Sequence, residues 1–286
     1  MTAITLIHAP FGQEHPYEQL PEERFPRRPL AGQVFTTGCV TRPVGATARV
    51  WVHAVHDGAA QPSFEAARVA DWQPELEHGV GAEYLERSGR IEQDVWRAQL
   101  TAPAHGHTLT YWFEADGVTT ERFTLTGEAW VSGGGVVADS DGSLRLSRAG
   151  NALAAPGLPE FARLEWLTDG QRARRVRLSV ACASKDGFYG LGERFNALNQ
   201  RGNVLDVRCY EQYKSQGKRT YMPVPFLLVW NAVAGRGYGL YVDSTRWMQF
   251  DLASAEGDRW TLEADLGPDE TLRLVPYHGD HPYAIV

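Results

Sequence analysis

The chain has 286 residues, with 35 Asp and Glu against 28 Lys and Arg and a formal net charge of -7. That length accommodates two ordinary domains, each burying its own core. The acidic balance argues against nucleic acid as a partner, because replacing counterions along phosphate requires a basic stripe, and no apolar run approaches the roughly 20 residues that span a bilayer.

Met1 to Leu6 has neither a basic region nor a long apolar stretch, so it does not read as a secretion signal, and the expected location is cytoplasmic. Residues 10–28 are dense in Pro, Glu and Arg and read as an extended arm. Helical periodicity is nearly absent beyond this point, and short alternating segments rich in Val, Thr, Tyr and Trp recur between Gly, Pro and Asp, which predicts an all-β fold. Residues 48–55 alternate with period two and stop at His56-Asp57-Gly58. Residues 108–115 do the same before Asp116-Gly117, with a returning strand over 119–125. An Asp-Gly pair between such runs marks a hairpin turn with positive φ. Several such strands within about 100 residues imply an immunoglobulin- or fibronectin-like sandwich. Glycines at 127 and 133–135 mark a boundary, so the predicted domains are 1–130 and 131–286. In the second, Val176, Leu178, Val180 and Cys182 alternate with Arg175, Arg177 and Ser179, giving one buried face and one facing water.

Candidate chemistry is sparse. Cys39, Cys182 and Cys209 lack the paired spacings of a zinc site and read as reduced, buried thiols. The histidine pairs His53/His56, His105/His107 and His278/His281 have no metalloprotease spacing, so neither metal nor cofactor is expected. Trp51, Trp72, Trp96, Trp112 and Tyr111 fit either a sugar-stacking platform or a core. Gly190-Leu191-Gly192-Glu193-Arg194-Phe195 matches no phosphate-loop spacing and reads as a tight corner where Gly190 and Gly192 allow unusual dihedrals or close backbone approach. Glu193 is expected to bond backbone N–H groups there or to pair with Arg194 or Arg201. The segment 203–221 is polar and aromatic without a strand pattern, and loops of that length are usually functional or disordered.

The stretch from Phe188 to Phe226, opening Phe-Tyr-Gly-Leu-Gly-Glu-Arg-Phe and closing Tyr-Met-Pro-Val-Pro-Phe, resembles the N-terminal β-sandwich of family-31 glycoside hydrolases, the α-glucosidase and α-xylosidase group. Residues 237–243 and 277–282 continue the likeness in order, so that it covers roughly residues 140–286. The resemblance implies a galactose-mutarotase-like sandwich followed, beyond Val286, by a catalytic (β/α)8 barrel. Both carboxylates of the retaining mechanism come from that barrel, so no catalytic residue is expected in this chain and the fragment is expected to be inactive. It also implies a structural role for the motif Gly190, Gly192, Glu193 and Arg194. In the family, the loop corresponding to 203–221 lines the sugar pocket through a Trp-Asn-Arg-Asp type sequence. Here the residues are Val207-Arg208-Cys209-Tyr210-Glu211-Gln212-Tyr213, so Glu211 falls closest to the family Asp, with Tyr210 and Tyr213 placed to stack on a pyranose. The implied partners are an α-linked oligosaccharide and the barrel, with self-association through apolar surface near 224–228 or 277–286. A second class, a stand-alone carbohydrate-binding or aldose-epimerase-like sandwich, stays open, since the sandwich also resembles that of galactose mutarotases.

Overall fold

The computed structural model describes residues 3–12, 20–70, 93–154, 158–159, 161–210 and 216–286. It divides into two compact units, Met1–Ala129 and Trp130–Val286, each built from antiparallel sheets.

In the first unit, one sheet carries Thr5–Ile7, Val34–Arg42, Asp94–Thr101 and Ala67–Val69, and a second centres on Trp51–His56 and Thr108–Ala115. Every second residue of Thr108–Ala115 is buried, and Leu109, Tyr111 and Phe113 meet Phe35, Cys39, Val52 and Trp96 in one core. Period-two alternation on facing sheets produces this arrangement, and burial of each large apolar side chain stabilises it by about 1.5–3 kcal/mol. The two hairpins turn at Asp57-Gly58 and Asp116-Gly117, with φ of 46° and 84° in the first and 47° and 81° in the second. Both central residues are left-handed, as a turn matching the right-handed strand twist demands.

The Pro-, Glu- and Arg-rich stretch belongs to this sandwich over its described residues instead of standing off as an arm. Thr5–Ile7 and Arg24–Phe25 both pair with Val34–Arg42, and His8, Glu23 and Arg24 are buried. His8 Nδ1 lies 2.6 Å from the Gly38 carbonyl and 2.8 Å from that of Glu22, so Nδ1 carries the proton. Its Nε2 lies 3.0 Å from the Tyr111 hydroxyl and accepts from it. Burial dominates over the backbone carbonyls and lowers the His8 pKa to about 4.

The second unit has two six-stranded sheets. One runs in the order Ala129–Ser132, Phe161–Thr168, Ala173–Ala181, Arg259–Asp265, Met248–Asp251, Val204–Asp206. The other runs Gly135–Ala138, Leu144–Ser147, Leu272–Tyr277, Arg236–Val242, Phe226–Asn231, Asp186–Gly190. Val176, Leu178 and Val180 lie in the core between them, with Cys182 packed partly buried against it. On the opposite face Arg177 pairs with Glu263 at 2.7 Å and Arg175 with Asp265 at 2.6 Å, and the two guanidinium groups cover the Trp130 and Trp247 rings, each at 3.9 Å. The face expected to meet water is therefore a half-buried ladder of ion pairs and cation–π contacts, and Ser179 on the same face is buried, with its hydroxyl 3.2 Å from that of Thr261.

Two stability measurements check this packing. Leu178→Ala, at a fully buried position, should cost roughly 2–5 kcal/mol in denaturant unfolding without changing the m-value. His8 binds fewer protons folded than unfolded below its ordinary pKa of 6.5, so its contribution should be intact above pH 6.5 and fall, by on the order of 3 kcal/mol in total, as pH drops towards 4. A His8→Gln variant should flatten that acid limb of the stability profile.

Candidate sugar-loop site

The candidate site lies at the edge of the second unit, where the chain passes from the end strand of one sheet, Asp186–Gly190, to the end strand of the other, Val204–Asp206. Gly190, Leu191 and Gly192 take φ of 96°, 62° and 94° in succession. A Cβ at Gly190 would stand 2.5 Å from the Phe226 carbonyl oxygen, and one at Gly192 would stand 2.1 Å from that of Met222. Only glycine meets both the left-handed dihedral and the close backbone approach. Leu191 is the strained residue between them, and its buried side chain, 1% exposed in the core, compensates the strain. Backbone N–H groups of Leu191 and Glu193 donate to the carbonyls of Phe226 and Met222, which pins the corner to the 222–226 segment.

Arg194 holds the corner from the other side. Its Nε and Nη2 donate to the Leu191 carbonyl at 3.0 and 2.9 Å, Nη2 also donates to the Asp206 carbonyl at 2.8 Å, and Nη1 donates to that of Lys218. Burial lowers the Arg194 pKa, opposed by the Asp206 carboxylate, yet a guanidinium stays protonated and therefore has to be satisfied by oxygens. The scaffold role expected of Glu193 falls to Arg194, since the Glu193 carboxylate is exposed and has no partner among the described residues. Arg201 bonds the Asp186 and Gly257 carbonyls and lies over the Phe188 ring.

The 203–221 segment begins as a paired strand, Val204–Asp206 on Met248–Asp251, and the Tyr210 N–H donates to the Thr220 carbonyl at 2.9 Å, closing the base of the loop. Tyr210, expected at an exposed tip, is 8% exposed, donates its hydroxyl to the Asp206 carboxylate and carries the Arg219 guanidinium 5.2 Å from its ring. Burial and the Asp206 carboxylate push the Tyr210 hydroxyl above its ordinary pKa, so it remains a neutral donor. Glu211 and Tyr213 lie outside the described residues. Cys209 is exposed rather than buried, since it lies at the loop base, bridged to Thr220, where its thiol donates to the Tyr221 carbonyl at 3.1 Å. Flanking the corner, Phe195, Leu198, Tyr221, Met222 and Val224 are exposed apolar residues, whereas Leu227 and Leu228, placed in an exposed patch by the sequence reading, are core.

The remaining candidates separate. In the first unit Trp96 and Tyr111 are buried, and Trp112 is stacked on His53 at 5.1 Å with Arg122 4.3 Å from its ring, while Trp51 is exposed; no free-faced platform joins them. Trp72 lies outside the described residues. His107 bonds Asp57, and His281 caps the closing helical turn, Pro282–Ile285. Of the carboxylates with displaced pKa values, Asp57, Asp141, Asp169, Asp269 and Glu270 are held low by hydrogen bonds. Among the described carboxylates only Glu23 is raised, by burial, and it is fully enclosed beside Arg27. A general acid for glycoside cleavage needs a raised pKa and access to substrate, and no described carboxylate with a displaced pKa has both.

The comparisons agree with this architecture. The family model described as the glycosyl hydrolase 31 N-terminal galactose mutarotase-like domain matches residues 81–251, a span that begins within the first unit, and a model described as Lmo2446-like, N-terminal matches residues 7–72. The chain is 31% identical to a 1,3-alpha-isomaltosidase of Kribbella flavida over 96% of this chain and 35% of that protein, and 26% identical to an isomaltosyltransferase of Sporosarcina globispora over 92% and 29%. A cycloalternan-degrading enzyme from Trueperella pyogenes, solved with cycloalternan, superposes with a TM-score of 0.76 at 28% identity, over 98% of this chain and 38% of that one. The chain thus spans about a third of the length of the curated relatives it matches.

The corner makes a paired prediction. Gly192→Ala combines a clash with a left-handed φ and should destabilise the second unit by more than 3 kcal/mol or prevent its folding, about twice or more what Gly202→Ala costs, where φ is 82° and the space is open, so that only about 1–2 kcal/mol of backbone strain is expected. Thermal unfolding of the two variants side by side tests the difference.

Proposed function

The chain belongs to the glycosyl hydrolase 31 N-terminal galactose mutarotase-like domain family, and from that premise we propose that it is the front part of an enzyme acting on α-linked gluco-oligosaccharides with isomaltosyl units. In this reading it is non-catalytic by itself, packs against a catalytic barrel and lends the 203–221 loop to a sugar subsite. The observation that carries the proposal is the near-complete coverage of this chain by isomaltosyl-processing relatives of which it spans only about a third. The charge chemistry supports it: among the described residues, carboxylates with displaced pKa values are either hydrogen-bonded acceptors or, in Glu23, sealed in the core.

Within the subsite, Glu211 is the acceptor proposed for a sugar hydroxyl, with Tyr213 as the stacking ring. Tyr210, whose hydroxyl is engaged by Asp206, would shape the loop from beneath. A carboxylate so placed strengthens binding by a charge-assisted hydrogen bond without taking part in bond cleavage.

Two assays test this. The purified 286-residue chain should release no sugar from isomaltose-containing α-glucans or aryl α-glucosides; turnover above a buffer blank that a carboxylate substitution in this chain abolishes would overturn the fragment reading. In the whole protein Glu211→Ala should weaken kcat/KM by about 1–3 kcal/mol while thermal stability barely moves.

A further inference from the structure

The N-terminal strands of the first unit are an addition to one edge of its sheet. Thr5–Ile7 pairs with residues 40–42 of Val34–Arg42, and Arg24–Phe25 with residues 36–37, while the other side of Val34–Arg42 pairs with Asp94–Thr101 from Val34 to Thr41. Losing the N-terminal pairing therefore leaves the sheet beneath it closed. The two legs are also tied to each other, since the Ala9 N–H donates to the Glu22 carbonyl at 3.0 Å and the Arg24 N–H to that of Pro10 at 3.1 Å.

One buried side chain keys these legs to the sandwich. His8 reaches the Glu22 carbonyl on the second leg, the Gly38 carbonyl on the sheet edge and the Tyr111 hydroxyl on the facing sheet, and its ring meets those of Phe113 and Phe123 at 5.0 and 4.7 Å. The Tyr111 oxygen also takes a hydrogen bond from the Arg24 guanidinium. Both nitrogens of the neutral imidazole are thus matched, and a second proton has no acceptor: Nε2 would turn from acceptor to donor against a hydroxyl that points its own hydrogen at it, with the Arg24 cation on the same oxygen. We propose that His8 makes the N-terminal legs an acid-released clasp, held on the edge of Val34–Arg42 while the imidazole is neutral and freed as a unit, ahead of the sandwich, once it is protonated. Release would bare a row of unpaired backbone groups along that strand.

The surrounding groups set the sign. Among the described residues, the titratable and charged groups on the elements packed around His8 are Glu22, Glu23, Arg24, Arg27 and Arg28 on the second leg, Cys39 on the edge strand, Arg97 on the strand beyond it and Tyr111 on the facing sheet. Burial raises both Cys39 and Tyr111, so neither gains charge in acid. Glu23 is raised by burial as well, so its protonation favours the clasped state and opposes release. His8 is lowered from 6.5 to about 4, so it favours release as pH falls between those values.

Hydrogen exchange of the whole protein, read by mass spectrometry and normalised for intrinsic exchange, tests the clasp. Between about pH 7.5 and about pH 5.5, protection of peptides within 3–12 and 20–28 should fall by up to roughly tenfold, the factor given by the His8 displacement, while peptides from 94–101 and 108–115 keep theirs. In His8→Gln, which offers a donor and an acceptor without titrating, that fall should vanish. Protection of the legs that ignores pH in the wild type, a loss shared equally by 94–101 and 108–115, or a fall that persists in His8→Gln would overturn the proposal. Should His8→Gln fail to fold, the His8 ring is followed by NMR in the wild type: its protonation should run in step with the loss of protection, and a ring that titrates while the legs stay protected would overturn the proposal equally.

Discussion

A guanidinium taken out of water keeps its charge, so each of its donors has to find an oxygen inside the protein, and at Arg194 those oxygens are backbone carbonyls from three stretches of chain. That requirement organises the edge of the second unit. It brings the outgoing and returning legs of the 203–221 segment to the Gly-Leu-Gly corner, and it works only because the corner approaches its neighbours closely enough to exclude a Cβ. The strain of left-handed Leu191 between the two glycines is offset by its burial and by two backbone hydrogen bonds from the corner to the 222–226 segment.

The rest of the unit supplies a rigid base for this arrangement. Two six-stranded sheets enclose a continuous apolar core, and the chain changes sheets where both edges end, so that the loop emerges from the ends of well-packed strands. A segment that must present polar groups to a ligand gains precision from such an origin, because the entropy of ordering it is already opposed by contacts that do not depend on the ligand. The exposed apolar residues Phe195, Leu198, Met222 and Val224 flank the same corner, and in the proposed whole enzyme they would be covered by the barrel.

Much of the fold was legible from local chemistry. Asp57-Gly58 and Asp116-Gly117 announced left-handed turns because few other pairs accept that backbone, and Val176, Leu178 and Val180 announced a buried face because side chains on a strand alternate strictly. Gly190 and Gly192 could be read as a tight corner for the same steric reason. What escaped depends on partners distant in sequence and carrying no side-chain signature. The carbonyls of residues 206 and 218 look like any others, so nothing marked Arg194 above Glu193, and the carboxylate that looked like the scaffold group is the one left in solvent. Tyr210 read as a surface aromatic because its burial rests on the fold of the loop base, on Asp206 and Arg219, and not on an alternating pattern. The choice between platform and core for the aromatics of the first unit was likewise hidden: residue type gave flat rings, and only the sheet register placed His53 and Arg122 against Trp112.

The most direct test of the central claim is a crystal structure of the whole protein with an isomaltosyl oligosaccharide bound. The account predicts the Glu211 carboxylate within hydrogen-bonding distance of a sugar hydroxyl, with Arg194 still gripping the carbonyls of residues 206 and 218. A sugar bound with the 203–221 loop turned away from it, or a loop that reaches the sugar after releasing Arg194, would contradict it.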